Sequence, residues 1–491
     1  MEYNEIAAKK RQRRENKVVV ALVRRYHLVL WVFLAVKAGW AGPVEMSRQV
    51  ISLPTNSSDT LFVDLDGNGL SDLLVMDPVG NKLLHFHQRR DGFSNSPDQV
   101  ISLPPQTAWV ALCEVEAHQG LELLMSTASG LVYSRQIAGL FESERRTLIE
   151  ASQVFTNGDA PILTSLSTNI PVISTGQAVL YHRDSAYQWS PEPPLTRVVK
   201  KNVWDFNDDL WTMGPHAAHG LVVEEWFRAK PFLKQDKAPE SEAIRKIMDD
   251  MKKSNNGFAP IMERVDVNGD GREDVVLWQD IIGGLGIQTD IYIFLRGADQ
   301  QLPARPTQVL HSRGFPVSFG SEHVLSPVHD LKGDGISELV LLEFSVNIAT
   351  ASGLVETALT GGLDSSLTIR SIHDGVFSAN PEASVPVKII LADWGEFGSY
   401  PICIQGDFNG DGRPDLMVRR SETQWNIYVS TNDGSWFARQ PAMTFDAPAR
   451  GHYELQDLNG DGLTDIIWHE KEEHRLSIFM SPAGPAKGKK P

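Results

Sequence analysis

A chain of 491 residues, 42% of them apolar, can build an extensive core, and its balanced 22% of charged residues excludes a generally disordered polymer. The formal charge of −16 argues against nucleic acid as a partner. Two cysteines, Cys113 and Cys403, are too few for a disulfide framework; both fall in expected inner strands and read as small buried apolar residues.

The N-terminus is set apart from the rest. Residues 1–27 are basic, an apolar run follows over 28–36, and Gly39-Trp40-Ala41 offers a small-x-small cleavage site. That layout predicts a signal peptide over residues 1–41. The apolar run is too short to span a bilayer, and Lys37 inside the segment argues against a retained anchor. The expected product is secreted, periplasmic or cell-surface, with no membrane span in the mature chain. Residues 1–41 carry nine Lys/Arg against three Asp/Glu, so the remainder, 42–491, has a formal charge of −22.

A repeat emerges at residue 49. Gln49-Val-Ile-Ser-Leu-Pro54 returns as Gln99-Val-Ile-Ser-Leu-Pro104, a shift of 50. Several short strands per unit at that period describe a propeller blade. Unit one predicts strands over 60–63, 73–76, 82–87 and 99–103. Unit two predicts 109–112, 121–126, 131–135 and 146–150. A third unit follows at 162–166, 171–174, 178–182 and 195–199, and a fourth at 203–206, 210–213 and 221–226. Between units four and five, residues 239–256 change period. Ile244, Ile247, Met248 and Met251 share one helical face, and Asn255-Asn256-Gly257 supplies a stop. This is an inserted amphipathic helix. Residues 280–289 and 347–366 read as further insertions, between the second and third strands of units five and six. Unit eight predicts strands at 453–455, 465–469 and 476–480 and then stops. Residues 48–53 belong to no complete unit, which makes them its expected fourth strand. The expectation is an all-β, eight-bladed β-propeller with one inserted helix; seven blades is the competing count.

Four units share one acidic phrase between their first two strands. The oxygen-bearing residues are Asp64, Asp66, Asn68 and Asp72 in unit one, and Asp266, Asn268, Asp270 and Asp274 in unit five. They are Asp407, Asn409, Asp411 and Asp415 in unit seven, and Asp457, Asn459, Asp461 and Asp465 in unit eight. They stand at positions one, three, five and nine, with Gly at six and a backbone carbonyl offered at seven by Leu70, Arg272, Arg413 or Leu463. Calcium takes six to eight oxygens at about 2.3–2.6 Å, and alternating carboxylates on a tight loop supply them. In unit six Lys332 stands at position three of the Asp330–Glu338 loop; the expectation is that its ammonium sits among Asp330, Asp334 and Glu338 in place of the cation, and the alternative is that it points to solvent and a weakened site survives. In unit two, residues 114–122 are a decayed copy that has lost its glycine to Gln119. An EF-hand would close with Glu at position twelve and a helix; here position twelve is Val75, Leu277, Val418 or Trp468, and an apolar strand follows.

The phrase resembles the FG-GAP or VCBS repeats of integrin-alpha type. That resemblance implies a loop joining the first two strands of each propeller blade, with about four structural calcium sites. It also implies a binding, adhesion or scaffold module for a protein or glycan rather than an enzyme. A polysaccharide-lyase-like enzyme is the alternative, on architecture alone. Strand alternation puts the long insertions on the face opposite the acidic loops. His216, His219, Trp394, Phe397 and Tyr400 also fall there and form a candidate ligand face.

Overall fold

The computed structural model describes residues 43–150, 162–191, 242–253, 260–344, 363–389 and 401–482, with short gaps inside these ranges. The expected signal peptide, all of unit four, and His216, His219, Trp394, Phe397 and Tyr400 lie outside the described residues. The chain is all-β in character, with one described helix. No described helix is long and apolar enough to cross a membrane.

Units one, five, seven and eight each form a sheet of successive antiparallel strands; in units one and five all the strands follow chain order, whereas Val44–Glu45 and Ser47–Ser52 supply the outer edges of units seven and eight. In unit one they are Thr60–Val63, Asp72–Asp77, Lys82–Phe86 and Gln99–Ser102. The second strand of a sheet is buried on both faces, so it reads as an unbroken apolar run: Asp72–Asp77, Leu416–Arg419 and Asp465–Glu470 are buried almost throughout. Outer strands such as Gln99–Ser102 alternate between buried and exposed.

Apolar side chains then join sheet to sheet. Trp278, Ile291 and Ile293 of unit five pack on Leu339, Leu341 and Phe377 of unit six. Val340, Leu367 and Ile369 of unit six meet Leu416 and Val418 of unit seven. Trp425 and Phe445 of unit seven meet Trp468 and Phe479 of unit eight. Leu476 and Ile478 of unit eight meet Phe62 and Leu73 of unit one. Leu74 and Met76 of unit one meet Val110 and Leu123 of unit two. The sheets therefore stack in the order five, six, seven, eight, one, two. Burying each of these side chains contributes about 1.5–3 kcal/mol, which is why the interfaces carry the core.

The joint from eight to one forms as the repeat pattern requires. Strand Ser47–Ser52 pairs antiparallel with Arg475–Met480, from Ser47 opposite Met480 to Ser52 opposite Arg475. Ile51 is fully buried against the unit-one and unit-eight cluster, and Leu53 packs beside it. Val50 is exposed, because the period of two turns it outward. Arg48 reaches Glu470 Oε1 at 3.0 Å and donates to Ser477 Oγ.

A side-chain device locks neighbouring sheets at their outer edge. Gln49 Nε2 donates to Phe93 O at 2.5 Å, and Gln49 Oε1 accepts Phe93 N–H at 3.0 Å. Gln99 holds Phe141 in the same way, and Gln308 holds Phe377. Each outer-strand glutamine thus clasps the backbone of a phenylalanine in the next unit.

Three expectations need correction. The first strand of unit three, Ile162–Ser165, does not start a new sheet; it lies parallel beside Trp109–Cys113 as a fifth strand of the second sheet. Its successors Asn169–Ser174 and Gln177–Arg183 pair with each other, and Gln177–Arg183 also pairs with Trp189–Pro191; the expected strand at 195–199 lies outside the described residues. Residues 280–289 are not an inserted loop. Strands Asp274–Gly283 and Gly286–Phe294 stay paired to Gly283 opposite Gly286, and Thr289 Oγ1 donates to Asp280. Asp280 stands opposite Thr289 and Ile281 opposite Gln288, so these residues belong to the ladder. The helix is present at Glu242–Lys252, where Ile244 packs on Val275 and Phe294 of unit five. Both cysteines are buried, and neither forms a disulfide.

Candidate calcium-binding loops

Each acidic loop is shaped by its own first carboxylate. In unit one, Asp64 Oδ1 accepts the N–H groups of Gly67 and Asn68, and Oδ2 accepts Gly69 N–H at 2.8 Å. Asp266 and Asp407 repeat the pattern in full. Asp457 accepts from Gly460 and Gly462. Positions three and five make Asx turns onto the N–H two residues on, as Asn409 does to Asp411 and Asp411 to Arg413. The curl needs positive φ at position six, as expected, and also at position four: Gly460 stands at 70° and Gly462 at 81°.

Position nine serves a purpose that sequence reasoning missed. Asp274, Asp415 and Asp465 are fully buried. In each, one oxygen accepts the N–H of position two, from Val267, Phe408 or Leu458. The other accepts an N–H just past the third strand, from Arg296, Ser430 or Ser481. The carboxylate ties loop to sheet. Burial pushes the Asp415 carboxyl up to about 7, with Asp407 and Asp411 adding to the shift. Burial likewise raises Asp465 and Asp72 to about 6.

The loops also touch one another. A Cβ on Gly460 would lie 2.5 Å from Gly69 O, one on Gly333 2.8 Å from Gly412 O, and one on Gly269 3.0 Å from Gly335 O. Ser71 N–H donates to Leu458 O, Ser337 N–H to Val267 O, and Thr464 N–H to Asp407 O. The loops of units five, six, seven, eight and one therefore form one contiguous acidic row, in the order in which their sheets stack.

Cations of the chain itself occupy parts of that row. Lys332 Nζ bonds Glu338 Oε1 and lies 5.0 Å from the Trp436 ring centre, so the damaged loop is neutralised at position nine rather than among all three of its acids. In the decayed loop Glu116 pairs with Arg135 and accepts from Tyr133 Oη. Arg272 bonds Asp270, and Arg413 Nη2 bonds Asp411 Oδ2 at 2.6 Å. Position seven was expected to matter only through its carbonyl; in these two loops its guanidinium clamps position five. Leu70 and Leu463 leave the equivalent Asn68 and Asp461 unclamped.

Elsewhere a cleft of about 640 Å³ opens between the outer strand of unit six and unit seven, with Lys388, Arg420, Tyr428 and Arg439 in its lining. Its volume suits a small ligand.

Residues 407–474 match the family model of the FG-GAP-like repeat. The chain carries an FG-GAP repeat. The matched stretch contains both the unit-seven and the unit-eight acidic loops, so the FG-GAP assignment falls on two of the four complete copies. A solved structure of an Agrocybe aegerita lectin, described by its specific recognition of non-reducing terminal N-acetylglucosamine, is also similar. The match covers 85% of this chain and 75% of the lectin, at 14% identity and a TM-score of 0.24.

Proposed function

We propose that this FG-GAP repeat chain is a secreted, calcium-stabilised binding module. Its successive sheets are the blades of an eight-bladed, integrin-alpha-like propeller. The observation that carries this reading is the contiguous row of loops with identical oxygen geometry. Asp or Asn oxygens at positions one, three and five accept the N–H groups of each curl, and the buried position-nine carboxylate ties the curl to its sheet. That donor set suits a hard divalent cation. Asp64, Asp66, Asn68 and Asp72, with their counterparts in units five, seven and eight, would hold it. Bound calcium supplies positive charge that neutralises these acids and fixes each curl. Residues 151–241, roughly two periods of about 50, separate the last strand of unit two, which ends at Glu150, from the helix, which supports the count of eight over seven.

A rigid stack of sheets presenting loops suits recognition. The cleft beside Lys388, Arg420 and Arg439 gives an anionic protein or glycan a place to bind, and Tyr428 offers an aromatic face. For a site of about 10 μM affinity in millimolar calcium, linkage adds about 2.7 kcal/mol per site. Chelation should therefore lower the melting temperature markedly and calcium should restore it. An unchanged melting curve, after metal analysis has verified removal, would defeat the calcium reading. A glycan and protein array probed with calcium-loaded chain tests the binding reading; no specific binder on either would count against it.

A further inference from the structure

We propose that Asp72, His85 and His87 form a second metal site, for one zinc-class transition ion, on the face of the first sheet that meets the second, and that it shares Asp72 with the unit-one acidic loop. Asp72 opens the second strand of unit one, His85 lies in the third, and His87 follows it. Asp72 and Leu74 share one sheet face by alternation, and Leu74 stands opposite His85. His87 Nδ1 is 2.9 Å from Asp72 Oδ1, His85 Nε2 is 3.9 Å from Asp72 Oδ2, and the three ligand atoms lie within 4.8 Å of one another.

Three observations point to a ligand rather than to packing. The first is unsatisfied polarity. His85 and Asp72 are fully buried, and Asp72 Oδ1 accepts the Gln88 N–H, yet Asp72 Oδ2 has no hydrogen-bond partner and the His85 ring has only its contact with the Gln99 side chain. Orphaned buried polar atoms are costly and uncommon. An ion pair between His87 and Asp72 would leave His85 unexplained; a metal ion would engage all three residues.

The second is the contrast between sibling units. The structural counterparts of His85 are Ile293, Ile427 and Ile478, each opposite the residue two past the position-nine aspartate. The counterparts of His87 are Leu295, Val429 and Met480. Compared with units five, seven and eight, unit one replaces two apolar positions by imidazoles; unit six carries Ile369 and Ser371 there. Unit two carries Tyr133 and Arg135 there, and both engage Glu116.

The third is support around the rings. Asp98 accepts the backbone N–H of His87 at 2.8 Å, which fixes the chain that carries the ring. Gln99 interacts with the His85 ring, and its own amide is fixed by both backbone groups of Phe141. The Phe141 ring lies edge-on to His85 at 6.1 Å. Gly139, with φ at 80°, passes so close that a Cβ would stand 3.4 Å from His87 Nδ1. Two imidazoles and one carboxylate are a ligand set for zinc, with a fourth position open to water. Asp72 also ends the unit-one acidic loop, so the site would join that loop to the neighbouring sheet whether or not calcium occupies the loop.

The test uses the full chain with calcium kept saturating, and Zn²⁺ and Co²⁺ as probes. Metal analysis after dialysis should give one zinc per chain at this site, and Co²⁺ should develop the visible absorption of a low-symmetry site. His85→Ile and His87→Leu import what sibling units carry, so folding should survive. Each should weaken Co²⁺ binding at least about 100-fold and abolish zinc-dependent stabilisation. The parallel variant His469→Gln, in the separate His452–Glu454–His469 group, should bind as wild type. Absence of zinc and cobalt binding by the wild type, unchanged binding in both unit-one variants, or loss in His469→Gln alone would overturn the proposal.

Discussion

At the scale of single residues, position seven of the acidic loop separates two kinds of site. Arg413 is nearly buried and bonds both Asp411 and Asn432, so its guanidinium competes with any ion for the position-five carboxylate. Arg413→Leu copies Leu463 of the next loop. A partly screened ion pair contributes about 0.2–1 kcal/mol, so the calcium concentration needed for half-maximal stabilisation should fall up to about fivefold. An unchanged midpoint would mean that the guanidinium moves aside freely. Position nine makes a second, pH-dependent prediction. Burial, reinforced by neighbouring acids, raises the Asp415 carboxyl to about 7 and that of Asp465 to about 6. A carboxyl raised in the fold holds its proton more tightly there than in the unfolded chain. Its stabilising effect is present at low pH and is lost as pH rises through the folded value. In calcium-free protein these carboxyls should therefore favour pH 6 over pH 8, against the buried His85 and His329, whose lowered values favour pH 8, and added calcium should remove the carboxyl part of the slope. Denaturant melts at the two pH values, with and without calcium, would check it. The acids themselves were legible as a spaced pattern. The arginine clamp was not, because spacing alone does not say that a position-seven side chain folds back two residues.

At the scale of elements, legibility followed contrast along the chain. Where an acidic loop breaks into an apolar run, as at Asp465 to Trp468, strand and loop bounds are visible within a residue or two. The repeat Gln-Val-Ile-Ser-Leu-Pro marked outer strands, yet it did not disclose why glutamine leads it. The partner is a backbone some 42 to 69 residues away, in the next unit. The hairpin at Gly283 and Gly286 was misread because glycine clusters signal loops as readily as tight turns. The glutamine clasp has a measurable consequence. Gln99→Ala leaves the N–H and C=O of Phe141 without their partner at a half-buried edge. Losing such bonds should cost about 1–3 kcal/mol, read as a shift in denaturant midpoint with an unchanged slope. A neutral substitution would show that water replaces the amide without loss.

At the scale of the molecule, the order five, six, seven, eight, one, two is fixed twice, by apolar clusters between sheets and by glycine contacts between loops. The turn from eight to one was readable because residues 48–53 copy an outer strand one unit too early, while unit eight stops after three strands. Strand Ser47–Ser52 supplies the missing edge. Its contribution reaches beyond its own ladder. Ile51 fills the unit-eight and unit-one cluster, Arg48 covers the buried Glu470, and Gln49 clasps Phe93 across the joint. Met46 N–H also donates to Thr444 O of unit seven. Removing the segment would expose an edge strand, strip the cluster of Ile51 and leave Glu470 without its guanidinium. Because each sheet is held by its neighbours, the loss should spread along the stack rather than fray one unit. Deleting residues 42–55 should therefore lower the melting temperature of the whole chain, abolish calcium-dependent stabilisation and favour association through the open edge. Deleting residues 484–491, which follow the last strand, should change little. A monomeric, calcium-responsive protein lacking residues 42–55 would place the closing joint elsewhere and favour seven blades over eight.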